Sequence, residues 1–207
     1  MRTARATMPT MTQPPATYAD LEAMPEHVRA ELIDGELVLQ AYPSVDHQSV
    51  LVHLATHLQN HFGGKARDDG DRPGGWVVVS VPELWLGSPD PKTRVLAPDL
   101  AAWRRERWPR VRETHGLTVV PDWVCEILSP STQRYDRLRK ATVYADAGVA
   151  WYWLLDPVQR FVEAYERRDG VWVRVAAFDT DEQATLPPFG GAPVDVGAWW
   201  ADLDPDE

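Results

Sequence analysis

The sequence predicts a single mixed α/β domain, and three observations carry that reading. Ala30-Glu31-Leu32-Ile33 and Glu36-Leu37-Val38-Leu39 flank Asp34-Gly35, a dipeptide that tolerates the positive φ of a tight hairpin turn. Ser44 to Phe62 repeats its apolar residues at helical spacing. Trp76-Val77-Val78-Val79-Ser80-Val81 and Asp122 to Leu128 are apolar, β-branched runs of strand length. A chain of 207 residues can bury a full core, and 44% hydrophobic with 25% charged residues sets it apart from disordered and fibrous sequences.

The elements follow in order. Met1 to Ala16 is Pro/Thr-rich, with Arg2 and Arg5 but no apolar stretch, which predicts a disordered lead rather than a secretory signal. Residues 17–207 then form the domain. Thr17 can cap a short helix through Met24, which Pro25 ends. After the hairpin, the Ser44–Phe62 helix gathers Leu51, Leu54, Ala55, Leu58 and Phe62 on one stripe. His53, His57 and His61 fall mostly opposite, a solvated face rather than a metal ladder. His47 extends the buried stripe, where a polar ring must find a partner. A Gly/Asp-rich loop over Gly63–Gly75 leads to Trp76–Val81, predicted as a central strand. Arg94 to Trp103 is a second strand interrupted by Pro98-Asp99, and Asp122 to Leu128 a third. Ser129-Pro130-Ser131-Thr132 starts a helix that runs to about Ala147, with Gly148 closing it. Ala150–Leu155 is a further strand, Arg160–Glu166 and Val171–Phe178 pair about Asp169-Gly170, and Trp199 and Trp200 fold back onto the domain.

Composition excludes several classes. Cys125 is the single cysteine, so there is no disulfide scaffold and no all-cysteine metal site. No apolar run approaches the ~20 residues of a membrane span. Both observations predict a cytoplasmic protein. The net charge of −10 argues against indiscriminate nucleic-acid binding. The charge is uneven, however. Trp103–Arg112 carries Arg104, Arg105, Arg107, Arg110 and Arg112 against Glu106, a local +4, and Arg134–Lys140 holds a local +3.

Two carboxylates stand where strands should not bury them. Period two places Glu126 on one face with Val124 and Leu128, and Asp99 interrupts an apolar run. Burying an ionised carboxylate costs several kcal/mol unless it is paired or metal-bound. Two acids on neighbouring strands are hard-oxygen donors suited to Mg²⁺, and one acid paired with arginine would satisfy the pattern equally well. Lys140 is one of only three lysines against eighteen arginines, which hints that a compact ammonium is wanted there.

These residues together resemble a known family. The blocks are Arg29–Leu37, Ser44 with His47, Pro98-Asp99, Cys125–Thr132, Asp136 with Lys140 and Tyr144, and Ala147-Gly148-Val149 through Tyr152–Pro157. In order and spacing they look like the Uma-two family of restriction-endonuclease-like proteins, within the PD-(D/E)XK nuclease superfamily, over roughly Tyr18 to Tyr165. The resemblance implies a restriction-endonuclease-like core, a mixed central β-sheet flanked by helices, with an N-terminal hairpin and a C-terminal β extension. It implies a Mg²⁺-dependent endonuclease, with Mn²⁺ able to substitute, in which Asp99 and Glu126 are metal ligands. Lys140 would orient or deprotonate the attacking water or offset phosphate charge, while Glu31 and His47 support the site. The superfamily's lysine slot two residues after the glutamate holds Leu128, so the role falls to Lys140 on the following helix. Trp151 stands where the family commonly has glutamate.

On that reading Arg104, Arg105, Arg107, Arg134 and Arg137 would contact DNA, with Trp103 and Trp108 stacking on bases. Binding would be weak and salt-sensitive. A homodimer would form through the tryptophan-rich end. The rival is a catalytically silent module of the same fold that binds a protein partner, and Mg²⁺ dependence discriminates between them. A Cys125 nucleophile with His47 as base is disfavoured, because Cys125 faces an apolar side where a thiolate is costly. Ser129 has no nucleophile-elbow context.

Overall fold

The computed structural model describes residues 14–64, 75–109, 115–179, 183–185, 187–190 and 193–203. The lead over residues 1–13, most of the Gly/Asp-rich loop, and Arg110 and Arg112 lie outside them.

A short helix, α1 (Tyr18–Glu22), is closed at its start by Thr17, whose amide and hydroxyl both donate to Asp20 at 2.7 Å. Strands β1 (Arg29–Ile33) and β2 (Glu36–Gln40) form the expected hairpin. Asp34 and Gly35 both take positive φ, 51° and 84°. Gly35 is required twice, since a Cβ there would collide with Pro15. The Ala16 N–H donates to Gly35 O at 2.8 Å, which ties the segment before α1 to the hairpin turn. Helix α2 (Val45–Phe62) starts at Ser44, which accepts from the His47 amide. Its enclosed residues are Val50, Leu54, Leu58 and Phe62, with Leu51 and Ala55 packed at the edge of the same core.

The strands β3 (Trp76–Ser80), β4 (Glu83–Trp85), β5 (Arg94–Leu96), β6 (Leu100–Arg104), β7 (Gly116–Leu117) and β8 (Trp123–Ile127) follow. A helical segment comes next: α3 (Gln133–Tyr135), a five-residue π turn (Asp136–Lys140) and α4 (Ala141–Ala147), closed by Gly148 at φ 90°. Then come β9 (Trp151–Asp156), β10 (Phe161–Arg168) and β11 (Val171–Phe178), with a short pair, β12 (Gln183–Ala184) and β13 (Val194–Asp195).

The fold class is the expected mixture of helices and mixed sheet, but the sheet is two. Six strands run in the order β11-β10-β9-β8-β6-β3, and five in the order β2-β1-β5-β4-β7. β8 and β9 are parallel, joined by the helical segment; the other pairs of the six-stranded sheet are antiparallel. Period two then sorts its side chains. Leu100, Ala102, Trp123, Cys125, Ile127, Trp153 and Leu155 pack toward α2. Ala101, Trp103, Val124, Tyr152 and Leu154 pack toward α4 and the five-stranded sheet.

Three expectations change. Trp76–Ser80 is an edge strand, not a central one; it is apolar because Val78 and Val79 each face a different core. Arg94–Trp103 is two strands in different sheets, because Pro98 has no N–H to continue a ladder. The histidine face of α2 is covered at its middle, where the chain's end folds back: His57 meets Trp199 edge-on at 5.6 Å and His53 Nε2 lies 2.8 Å from Asp202 Oδ2. Trp199 and Trp200 are themselves enclosed in this core, folded back onto the domain as expected. Among the described residues no helix is long and apolar enough to cross a membrane.

Candidate active site

The junction of the two sheets opens into a cleft of about 480 Å³. Its walls include Glu31 of β1, His47 of α2, Asp99 before β6, Glu126 of β8, and Asp136 and Lys140 of the π turn. All five residues proposed from sequence for catalysis therefore meet in one place.

Register explains why Asp99 and Glu126 meet. β6 pairs with β8 through Leu100↔Cys125, and one further step sets Asp99 opposite Glu126. Asp99 is fixed at both oxygens: Oδ2 accepts from the Ile127 amide at 2.7 Å, and Oδ1 lies 2.9 Å from His47 Nε2. The polar ring that extends the apolar stripe of α2 thus finds its partner. Val81 holds the main chain of Asp99 from the other side, its N–H donating to Asp99 O at 3.0 Å. Val81 has φ 48°, a strained conformation for a β-branched residue.

Lys140 is the hub of the charged interior. Its Nζ lies 2.7 Å from Glu126 Oε1, 3.1 Å from Glu31 Oε1 and 3.9 Å from Asp136 Oδ1. Glu126 Oε1 also accepts from the Tyr144 hydroxyl at 2.6 Å. Glu31 Oε1 accepts from the Ala97 amide at 2.8 Å and Oε2 from Gln40 at 3.0 Å, which ties the hairpin to the Pro98-Asp99 junction. All four charged groups of this cluster are buried.

Burial alone would lower the Lys140 pKa, but Glu126, Glu31 and Asp136 outweigh it and hold the ammonium well above the ordinary lysine range. Of the two roles open to Lys140, this favours charge stabilisation over proton abstraction. Burial pushes the Glu126 carboxyl well up, opposed by Lys140 and reinforced by Asp136, Asp99 and Glu31. Burial likewise raises Asp136 to about 6. Four carboxylates against one ammonium leave excess negative charge in a low-dielectric site, which protons or a cation must balance.

That excess is an independent reason to consider a divalent cation, and the donors are of the right hard-oxygen kind. Among the described residues no three His, Cys, Asp or Glu side chains cluster as a ready ligand set. Asp99 and Glu126 suit an ion bound by one or two carboxylates with water and phosphate completing its shell.

The sequence profile of the Uma2 family, described as "Putative restriction endonuclease", matches residues 15–196. The chain belongs to the Uma2 family. An uncharacterized protein of Synechocystis sp. (strain ATCC 27184 / PCC 6803 / Kazusa), slr1290, is 26% identical over 168 residues, 77% of each chain. A crystal structure from Anabaena variabilis ATCC 29413, described as a "putative nuclease belonging to DUF820", superposes with a TM-score of 0.69 at 18% identity. That match covers 91% of this chain and 99% of the other, and it is a likeness of fold. Family and fold together mark this Uma2 protein as nuclease-like.

The arginines lie elsewhere. Arg104 ends β6, about 17 Å along the strand from Asp99, and Arg105 and Arg107 follow it. Arg104 stacks on Trp76, Arg105 donates to the carbonyls of Gly64 and Trp76, and Arg107 pairs with Asp122. Arg137 points away to Glu163 at 2.7 Å, while Arg134 is exposed at the start of the helical segment. Trp103 is fully enclosed, donating to Val119 O at 2.9 Å, so it is closed to a base. Cys125 is buried and burial raises its thiol pKa, consistent with an inert packing role.

The sequence reading names Asp136 and Tyr144 only as members of the Lys140 block and attaches no role to either. The signal was present: Asp136, Lys140 and Tyr144 are spaced by four, one face of a helix. Val81 carried no such signal, because the residue before a proline, here Pro82, is steered to extended backbone rather than to positive φ.

Proposed function

We propose that this Uma2 protein is a Mg²⁺-dependent endonuclease that hydrolyses DNA phosphodiester bonds, with Mn²⁺ able to substitute. One observation carries the reading: Asp99 and Glu126 face each other across β6 and β8, with the Lys140 ammonium on Glu126, in a single cleft. Asp99 and Glu126 would hold the ion, which when bound polarises the phosphate and lowers the pKa of its water.

The remaining steps belong to the chain. His47 fixes the rotamer of Asp99 from Oδ1, so the carboxylate needs no reorganisation when substrate arrives. Glu31 holds both Lys140 and the Ala97 amide, which sets the junction that delivers Asp99. Lys140, kept cationic by its carboxylates, offsets charge that develops on the phosphoryl oxygens as water attacks and the P–O bond breaks. DNA affinity is weak and salt-sensitive, since the net charge is −10.

The test is calorimetric titration of Mg²⁺ and Mn²⁺ into wild type and Asp99→Ala, with plasmid nicking on the same samples. Saturable binding and metal-dependent nicking, both lost in the variant, support the proposal. No binding to wild type with DNA present overturns it and leaves the protein-interaction module as the better account.

A further inference from the structure

Besides neutral polar side chains such as Ser129, Ser131 and Thr132, the interior of the cleft offers a substrate carboxylates and one ammonium already shared among three of them. Whatever grips the rest of a polynucleotide must therefore stand at the mouth. Two residues there are unlike their neighbours. Tyr42, on the link between β2 and α2, lines the cleft and is 72% exposed. Its hydroxyl nevertheless donates to His27 O at 3.0 Å, so the ring is tethered at its far end. An anchored aromatic ring open to solvent loses little entropy when a second flat ring lies on it.

Arg29 begins β1 opposite Gln40 and also lines the cleft. Among the described residues its guanidinium is in no ion pair, whereas Arg94, Arg137 and Arg139 each hold a carboxylate. An uncommitted guanidinium beside an acidic site suits an anion, and a phosphate accepts its forked donors. The cleft has the size of a pocket for one small ligand.

We propose that Tyr42 and Arg29 form a nucleotide subsite at the cleft mouth, Tyr42 stacking on an unpaired base and Arg29 holding a neighbouring phosphate. The substrate class is then DNA presenting an unpaired nucleotide, either single-stranded or locally opened. This rests on the nuclease reading and narrows it. Stacking tolerates any base, so the subsite confers strand-state preference without sequence preference.

The test uses the full chain with Mg²⁺ and a fluorescent, cleavage-resistant phosphorothioate oligothymidylate, read by anisotropy against a fully paired duplex. Wild type should prefer the single strand. Tyr42→Ala should weaken that binding about tenfold or more, while Tyr42→Trp retains it. Arg29→Ala should lower the slope of log affinity against log salt by about 0.7. Metal titration should be unchanged in Tyr42→Ala, since that side chain is at the rim. Equal binding by Tyr42→Ala and wild type, or a wild-type preference for duplex, overturns the subsite. Metal-dependent cleavage indifferent to Tyr42 overturns the subsite and leaves the nuclease reading standing. Loss of oligothymidylate binding in Tyr42→Ala, in a protein that neither binds metal nor cleaves, supports the subsite and overturns the nuclease.

Discussion

The Lys140 ammonium lies 2.7 Å from Glu126 Oε1, and each side chain keeps only 4% exposure, at the wall of the cleft. Strand β8 and the π turn that follows it are thereby joined by a charge pair inside the fold.

Removing one side of a buried pair leaves the other uncompensated. Lys140→Met should destabilise the chain by about 3–5 kcal/mol in urea unfolding, because Glu126, Glu31 and Asp136 lose their shared cation. Lys140→Met with Glu126→Gln should recover part of that loss. A double variant no more stable than the single one would show that Glu126 is not the partner that matters.

His47 should matter more to metal than to folding. Its ring is largely enclosed against Asp99 Oδ1 at 2.9 Å, and it would act through that carboxylate. His47→Ala is expected to weaken Mg²⁺ or Mn²⁺ about 10–100-fold. His47→Gln, which can still donate to Asp99, should weaken it less. Equal loss in both would place the effect in helix packing.

Strain at Val81 gives a stability prediction of opposite sign. Left-handed φ costs a β-branched residue of the order of 1–3 kcal/mol, and glycine gives back about 0.5–1 in chain entropy. Val81→Gly should therefore raise stability by about 1 kcal/mol. It should also loosen the hold on Asp99, lowering metal affinity. A Val81→Gly chain less stable than wild type would mean that the packing of the valine outweighs its strain.

His57 makes stability sensitive to acid. Burial first, and then His61 stacked at 4.2 Å, lower its pKa to about 4 against the opposing pull of Asp195. Among the described residues its buried Nε2 has no hydrogen-bond partner. A depressed pKa means that the folded state binds this proton less readily than the unfolded chain, whose ordinary value is 6.5. The contribution is full above pH 6.5 and is lost as pH falls toward 4. The melting temperature of wild type should drop more steeply over that window than that of His57→Phe. Parallel curves would assign the acid sensitivity to other groups.

The sequence by itself determined the elements and the side chains that face inward. Asp34-Gly35 fixed the hairpin because its backbone tolerates positive φ, and period two in Trp123–Ile127 set Glu126 on the opposite face from Cys125. Asp99, Glu126 and His47 were legible as site candidates because a polar group on an apolar face needs a partner, Lys140 because lysine is scarce in this chain, and Glu31 through the family resemblance. The tertiary structure decided who those partners are. Register between β6 and β8 set Asp99 against Glu126, and two sheets meeting placed Glu31 beside Lys140, a contact between residues 109 positions apart. It also decided which charges were already committed. The arginine-rich run after Asp99 read as a flank of the site, yet a strand is an extended rod and delivered Arg104, Arg105 and Arg107 to its other end. Local sequence encodes φ, ψ and facing. Distances between distant segments arise only when the sheets pack.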